Sequence, residues 1–139
     1  MDISSYTHVI KAQNDLKMAA KLAHWSARGK DFYQYHKLFE TVYSIVDDKA
    51  DTTVELGMAL GYEPTFEDFG GPQNKSFESY ECEYLVSLCL DMATSLFAKL
   101  VYVKQNMKME PMTMGVVAHL EELAQDVTKI MYLLSATTK

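Results

Sequence analysis

Residues 24–61 read HWSARGKDFYQYHKLFETVYSIVDDKADTTVELGMALG, and the placing of apolar and polar residues along this stretch decides the architecture. Arg28-Gly29-Lys30 interrupts it early, because Gly is a natural helix terminator. Asp31 is placed to cap the next helix, with Gln34 three residues on as in a capping box. From Asp31 to about Leu60 the apolar spacing is helical, and Gly61 closes the run. At about 100° per residue, Leu38, Phe39, Val42, Ile45, Val46, Ala50, Leu56 and Leu60 fall on one side and form the expected core face. His36, Glu40, Asp47, Asp51 and Glu55 fall together on a different arc, roughly 100° wide.

On the N-terminal side, a first helix is expected from about Ile3 to Ala27, with Val9, Ala12, Leu16, Ala19, Ala20 and Ala23 turned inward. After Gly61 comes a punctuated stretch, Tyr62 to Phe77, with Pro64, Gly70, Gly71 and Pro72. One short helical turn fits Thr65 to Phe69. A third helix is expected from about Glu78 to Met107, on Leu85, Leu88, Met92, Leu96, Leu100 and Val103. Pro111 suits the first turn of a fourth. That helix carries the cleanest stripe: Val116, Val117, Leu120, Leu123, Ala124, Val127, Ile130, Met131 and Leu134. Short turns join helices one to two and three to four, and a long connection joins two to three. The expected fold is therefore all-α: a ferritin-like four-helix bundle with a long crossover between helices two and three, in a single domain over residues 1–139.

The net charge is -6, which gives the body no overall attraction for phosphate backbones. No stretch is read as long and apolar enough to span a membrane, so no membrane partner is expected. The opening residues MDISSYTH show neither a basic n-region nor an apolar run, so no signal peptide is expected. Cys82 and Cys89 lie two turns apart on a helix, about 10 Å, too far for a disulfide within it. They read as small core residues in a reducing, cytoplasmic compartment.

Chemistry is concentrated in the first half. His36 and Glu40 are an i, i+4 pair, as are Asp51 and Glu55, and His24 comes from the preceding helix. Imidazole with carboxylate suits iron, zinc or manganese. His36 and Asp51 are fifteen residues apart, about 22 Å along one straight helix. Metal–ligand bonds are about 2 Å long, so one ion cannot touch both pairs of one chain. Two copies crossing antiparallel about a two-fold axis would bring His36 and Glu40 of one onto Asp51 and Glu55 of the other, twice over.

Three pieces of this region resemble the Dps family of mini-ferritins. They are His24-Trp25-Ser26-Ala27-Arg28-Gly29-Lys30-Asp31-Phe32, His36-Lys37-Leu38-Phe39-Glu40, and Asp48-Lys49-Ala50-Asp51-Thr52-Thr53-Val54-Glu55 with Asp47 before it. The family's pattern runs H-W-x-x-x-G-x-x-F, H-x-x-F-[DE], then D-x-x-A-D-x-x-x-E. The resemblance implies a four-helix subunit, paired about a two-fold axis, in a hollow twelve-subunit shell. Iron would be oxidised between subunits by hydrogen peroxide or oxygen and stored as ferric mineral, which makes the protein a ferroxidase. By position, His24, His36 and Glu40 would be metal ligands and catalytic residues from one subunit, and Asp51 and Glu55 from its mate. Trp25 would lie beside the iron. Zinc is the alternative occupant.

The sequence also departs from the family. Glu40 stands where Asp is usual, and the connection after Gly61 has room for only a stub of the usual extra helix. The N-terminus has no Lys/Arg-rich arm, and the tail Ser135 to Lys139 has one lysine, which argues against DNA binding. The region that lines the family's iron pores is here Met107 to Met114, with Glu110 its one acid. The rival functions are a DNA-protecting protein and a structural scaffold with a degenerate or zinc-filled site. Single residues have plainer readings too. Trp25 reads as a core anchor, His8 and His119 as surface or packing residues, and Asp47 and Asp48 as a solvated face. Tyr33, Tyr35 and Tyr43 read as packing rather than electron carriers. The methionine run reads as adaptable packing at a helix turn or subunit contact, in preference to a Cu(I) thioether site.

Overall fold

A computed structural model describes residues 3–70 and 76–138, and among them every regular element is a helix. They are α1 (Ile3–Ser26), α2 (Phe32–Asp48), α3 (Ala50–Ala59), α4 (Phe66–Phe69), α5 (Cys82–Asn106) and α6 (Pro111–Thr137). The expected punctuation at Gly71 and Pro72 lies outside the described residues. α1 packs against α2, α3, α4 and α5; α5 packs against α6, and α6 returns to α2. One apolar cluster joins them, with Leu16 of α1, Phe39 of α2, Leu96 of α5 and Ile130 of α6 all fully buried.

The inward stripes match the expected ones closely. Val9, Leu16, Ala19, Ala20 and Ala23 are buried on α1, and Ala12 is half-buried. On α5, Leu85, Leu96, Leu100 and Val103 are buried, while Leu88 and Met92 sit at the margin. On α6 all of the expected stripe is buried except Ala124 and Met131, which are half-buried. α5 begins four residues later than expected, at Cys82. Over an 18-residue window its mean hydropathy reaches 1.5, so by length and composition this helix could cross a membrane, contrary to the sequence expectation. In this fold one of its stripes packs against α1 and α6.

Helix ends show what sets the boundaries. Gly29 and Gly61 have φ of 95° and 105°, the left-handed region that lets the chain leave a helix sharply. Asp31 does precede α2, but its φ and ψ of -108° and 32° are not those of an extended cap, and its side chain caps nothing. The expected capping box is therefore not formed there. Thr65 accepts the Asp68 N–H at 3.4 Å and starts α4.

The largest departure lies at Lys49, where the expected helix of residues 31–60 breaks into α2 and α3. The cause is a set of polar groups inserted at one level of the core. Buried Gln13 donates from Nε2 to the Val46 carbonyl at 3.3 Å. Thr53 donates its hydroxyl back to the Lys49 carbonyl at 2.9 Å, an i to i-4 bond that bends helices. Lys49 itself reaches Asp126 at 2.7 Å. Buried His119 meets Thr53 Oγ1 at 2.7 Å through Nε2. Because the Thr53 proton is committed to Lys49, the imidazole donates from Nε2. After the break the inner residues are Thr53 and Gly57, while Ala50, Leu56 and Leu60 are only half-buried.

Burial holds the His119 imidazole below the ordinary histidine value, Lys49 pushes in the same direction, and Glu122 and Asp126 oppose it only in part. The folded state thus binds fewer protons than the unfolded chain just below that value, and stability falls as pH drops through it. In urea unfolding, His119→Gln is expected to flatten the stability loss below about pH 6.5. Parallel curves for parent and variant would remove His119 from the acid limb.

Candidate metal centre

The last turn of α1 and the second turn of α2 lie side by side, and they bring His24 and His36 together. The imidazoles stack with centroids 3.7 Å apart and planes 20° from parallel. Each is held by the other's backbone. His24 Nδ1 lies 2.7 Å from the His36 carbonyl, and His36 Nδ1 lies 2.9 Å from the His24 carbonyl. A carbonyl oxygen only accepts, so both Nδ1 atoms carry the proton. In the neutral rings the lone pair is then on Nε2, and among the described residues neither Nε2 has a hydrogen-bond partner. An Nδ1–H bonded to a backbone carbonyl is the arrangement that orients a metal-binding imidazole and fixes its tautomer.

The rest of the aromatic packing locks these rings in place. Phe32 stacks on His36 at 4.9 Å, and Tyr43 meets His24 edge-on at 5.4 Å with the Lys21 ammonium over its own ring. Sequence reasoning missed Phe32, although its i, i+4 spacing to His36 places it on the same face. Tyr35 also packs, on Phe39, whereas Tyr33 is exposed. Trp25 is 64% exposed, so it is not a core anchor of this chain.

Glu40 lies one turn beyond His36 and pairs with Lys37 at 3.0 Å. That hydrogen bond, the lysine charge and, to a lesser extent, the two histidines hold its carboxyl below the usual range. Asp51 and Glu55 are exposed on successive turns of α3, facing away from buried Thr53 and Gly57. Asp47 is exposed and reaches Lys17 at 3.4 Å, and Asp48 and His8 are also exposed. The two halves stay apart within the chain. From His36 to Asp48 alone is about 18 Å of helix, and the break at Lys49 comes next. Among the described residues no three His, Cys, Asp or Glu side chains converge on one point. Cys82 and Cys89 are free and buried, and burial pushes the Cys89 thiol up to about 12, far from a ready thiolate.

One chain therefore presents two separate donor sets. The first is a pair of oriented imidazole nitrogens with a nearby carboxylate, and the second is a pair of solvated carboxylates one turn apart. No family model and no curated protein matches this sequence.

Proposed function

We propose that this chain is a mini-ferritin subunit of the Dps kind, a ferritin-like four-helix bundle in which α2 and α3 together make the second helix. In this reading two copies pair about a two-fold axis, and the pairs assemble into a hollow shell. His24, His36 and Glu40 of one subunit face Asp51 and Glu55 of its mate. Fe(II) is the substrate. Imidazole nitrogen and carboxylate oxygen hold it while leaving positions for the oxidant. Each hydrogen peroxide takes one electron from each of two Fe(II) ions and two protons, giving two waters and two Fe(III). The ferric product leaves for a mineral store, so the reaction removes both iron and peroxide.

The observation that carries the reading is the reciprocal pairing of His24 and His36. Both rings spend Nδ1–H on a backbone carbonyl and keep Nε2 open. Neither Nε2 is among the buried atoms left without a partner, so in this reading both are accessible to an ion from solvent. The mate's carboxylates supply what one subunit lacks. With a net charge of -6, duplex DNA is not a partner in this reading.

The deciding measurement is anomalous scattering from crystals grown anaerobically with Fe(II). The expected result is an iron-edge peak between the imidazoles of one subunit and Asp51 and Glu55 of its two-fold mate. A zinc-edge peak alone, unmoved by added iron, favours the scaffold reading. Iron bound within one subunit sinks the intersubunit site. Light scattering adds the assembly, since a mineral store needs a closed shell and a dimer has no cavity.

A further inference from the structure

A groove runs along the seam between α1 and α5. Two adjoining cavities of about 180 Å³ and 260 Å³ make it, and they share His8, Ser95 and Lys99. Lys11 and Asp15 line the first cavity, and Ser5 and Tyr102 the second. Positions 8, 11 and 15 follow one face of α1, and 95, 99 and 102 one face of α5. Packing of the two helices sets these faces against each other. A water occupies about 30 Å³ in the liquid, so either cavity has room for a small ion with some of its hydration.

The groove collects basic groups in an acidic chain. His8, Lys11 and Lys99 line it, and Asp15 is the one acid among its lining residues. Elsewhere the chain pairs its surface cations with acids, as at Lys17 with Asp47, Arg28 with Glu78 and Lys104 with Glu121. Among the described residues, Lys11 and Lys99 form no ion pair. Asp15 is at i+4 from Lys11, a spacing that permits a pair, yet the two do not close. Lys99 donates instead from Nζ to Ser95 Oγ at 2.7 Å, which holds its ammonium on the wall of the groove. Two ammonium groups and an imidazole thus line one small space with no carboxylate in contact with either lysine.

Asp15 is poorly placed to be their counter-ion. Its Oδ1 is buried and has no hydrogen-bond partner. Burial raises its carboxyl above the usual range, and the charges of Lys11 and Lys99 oppose this only in part. We propose that the groove binds a tetrahedral oxyanion of the phosphate class, with Lys11, Lys99 and His8 as its cationic contacts and the Ser95 hydroxyl as a further donor. Asp15 sets the limit on affinity. Ionised, it opposes the anion; protonated, it can donate to it. The site is separate from the histidine and carboxylate donors of the candidate metal centre and does not depend on their reading.

The test titrates the full chain at low ionic strength, by calorimetry, with inorganic phosphate and with glycerol 3-phosphate. The two ligands distinguish a free ion from the phosphate end of a small ester. Lys11→Gln/Lys99→Gln removes the ammonium groups, and affinity is expected to weaken about ten-fold or more. Asp15→Asn replaces the opposing charge by a neutral donor of the same volume, and affinity should tighten about three-fold or more. Lys30→Gln/Lys129→Gln makes the same change in net charge at exposed lysines outside the groove, and should stay within about two-fold of the parent. Binding of either ligand that follows this pattern supports the site, and the tighter of the two gives its source. No saturable binding, an equal loss in the Lys30/Lys129 variant, or weaker binding by Asp15→Asn would each overturn it. Circular dichroism checks helix content, and a gain of binding in Asp15→Asn cannot arise from misfolding.

Discussion

In Asp51→Ala/Glu55→Ala, peroxide-dependent Fe(II) oxidation is expected to fall by about 100-fold or more while the subunit stays folded. Removing outer partners of a metal ligand already costs about 10–100-fold, and removing two carboxylate ligands costs at least that. Stability should change by no more than about 0.5 kcal/mol, because both side chains are exposed and, among the described residues, no hydrogen bond or ion pair ties either to the rest of the chain. Stopped-flow absorbance of ferric product, with urea unfolding beside it, separates the two effects. Equal oxidation rates in parent and variant would defeat the ferroxidase reading outright. The variant also tests the division of labour between subunits. Mixed with a His36→Ala variant, it should recover part of the activity, since a mixed pair rebuilds one intact site from the undamaged halves. No recovery in verified mixed pairs would mean that both donor sets act within one chain.

Gly57→Ala should cost about 2 kcal/mol of stability, against the helical preference of the new residue. Gly57 lies in the second half of α3 and faces the core. A Cβ there would stand 2.7 Å from Tyr6 Cε1, 3.1 Å from Cδ1 of the same ring and 3.2 Å from Ile10 Cδ1. Tyr6 cannot easily give way, because it is fully buried and its hydroxyl donates to the Thr53 carbonyl at 2.6 Å. Overpacking costs about 1–3 kcal/mol, and pulling a buried hydroxyl off its acceptor adds about 1–3 kcal/mol. Alanine over glycine in a helix returns only about 1 kcal/mol. Urea unfolding measures the balance, and a stabilised variant would show that propensity wins and the contact is loose. In a double-mutant cycle, Tyr6→Leu should relieve much of the loss, because contacting residues do not add independently.

The helices were legible because their apolar stripes are long and regular. α6 keeps its face from Val116 to Leu134, and no local alternative competes with it. The break at Lys49 was not legible from α2 and α3 themselves. Their apolar spacing runs across it, and the groups responsible come from elsewhere: Gln13 from α1, and His119 and Asp126 from α6. The signal in the sequence was indirect, namely a glutamine and a histidine on otherwise apolar faces. Asp31 failed as a capping-box residue for a similar reason. Its type suits a cap, but the turn from Gly29 holds its backbone in another conformation.

At the candidate site, residue type and spacing were enough to pick out His24, His36, Glu40, Asp51 and Glu55 and to divide them into two groups too far apart for one ion. Helical rise is a local constant, so that division needed no tertiary information. The all-α class was determined in the same local way. Only the packing of α1 against α2 decided how the imidazoles are held, because each Nδ1 proton is fixed by a carbonyl twelve residues away. Packing likewise decided that Trp25, Met109, Met112 and Met114 stand out from the surface while Gly57 supports a tyrosine ring. Periodicity says which face of a helix is apolar. Which polar atoms are satisfied, and which are left open for a ligand, depends on neighbours distant in sequence, and only the folded chain brings those together.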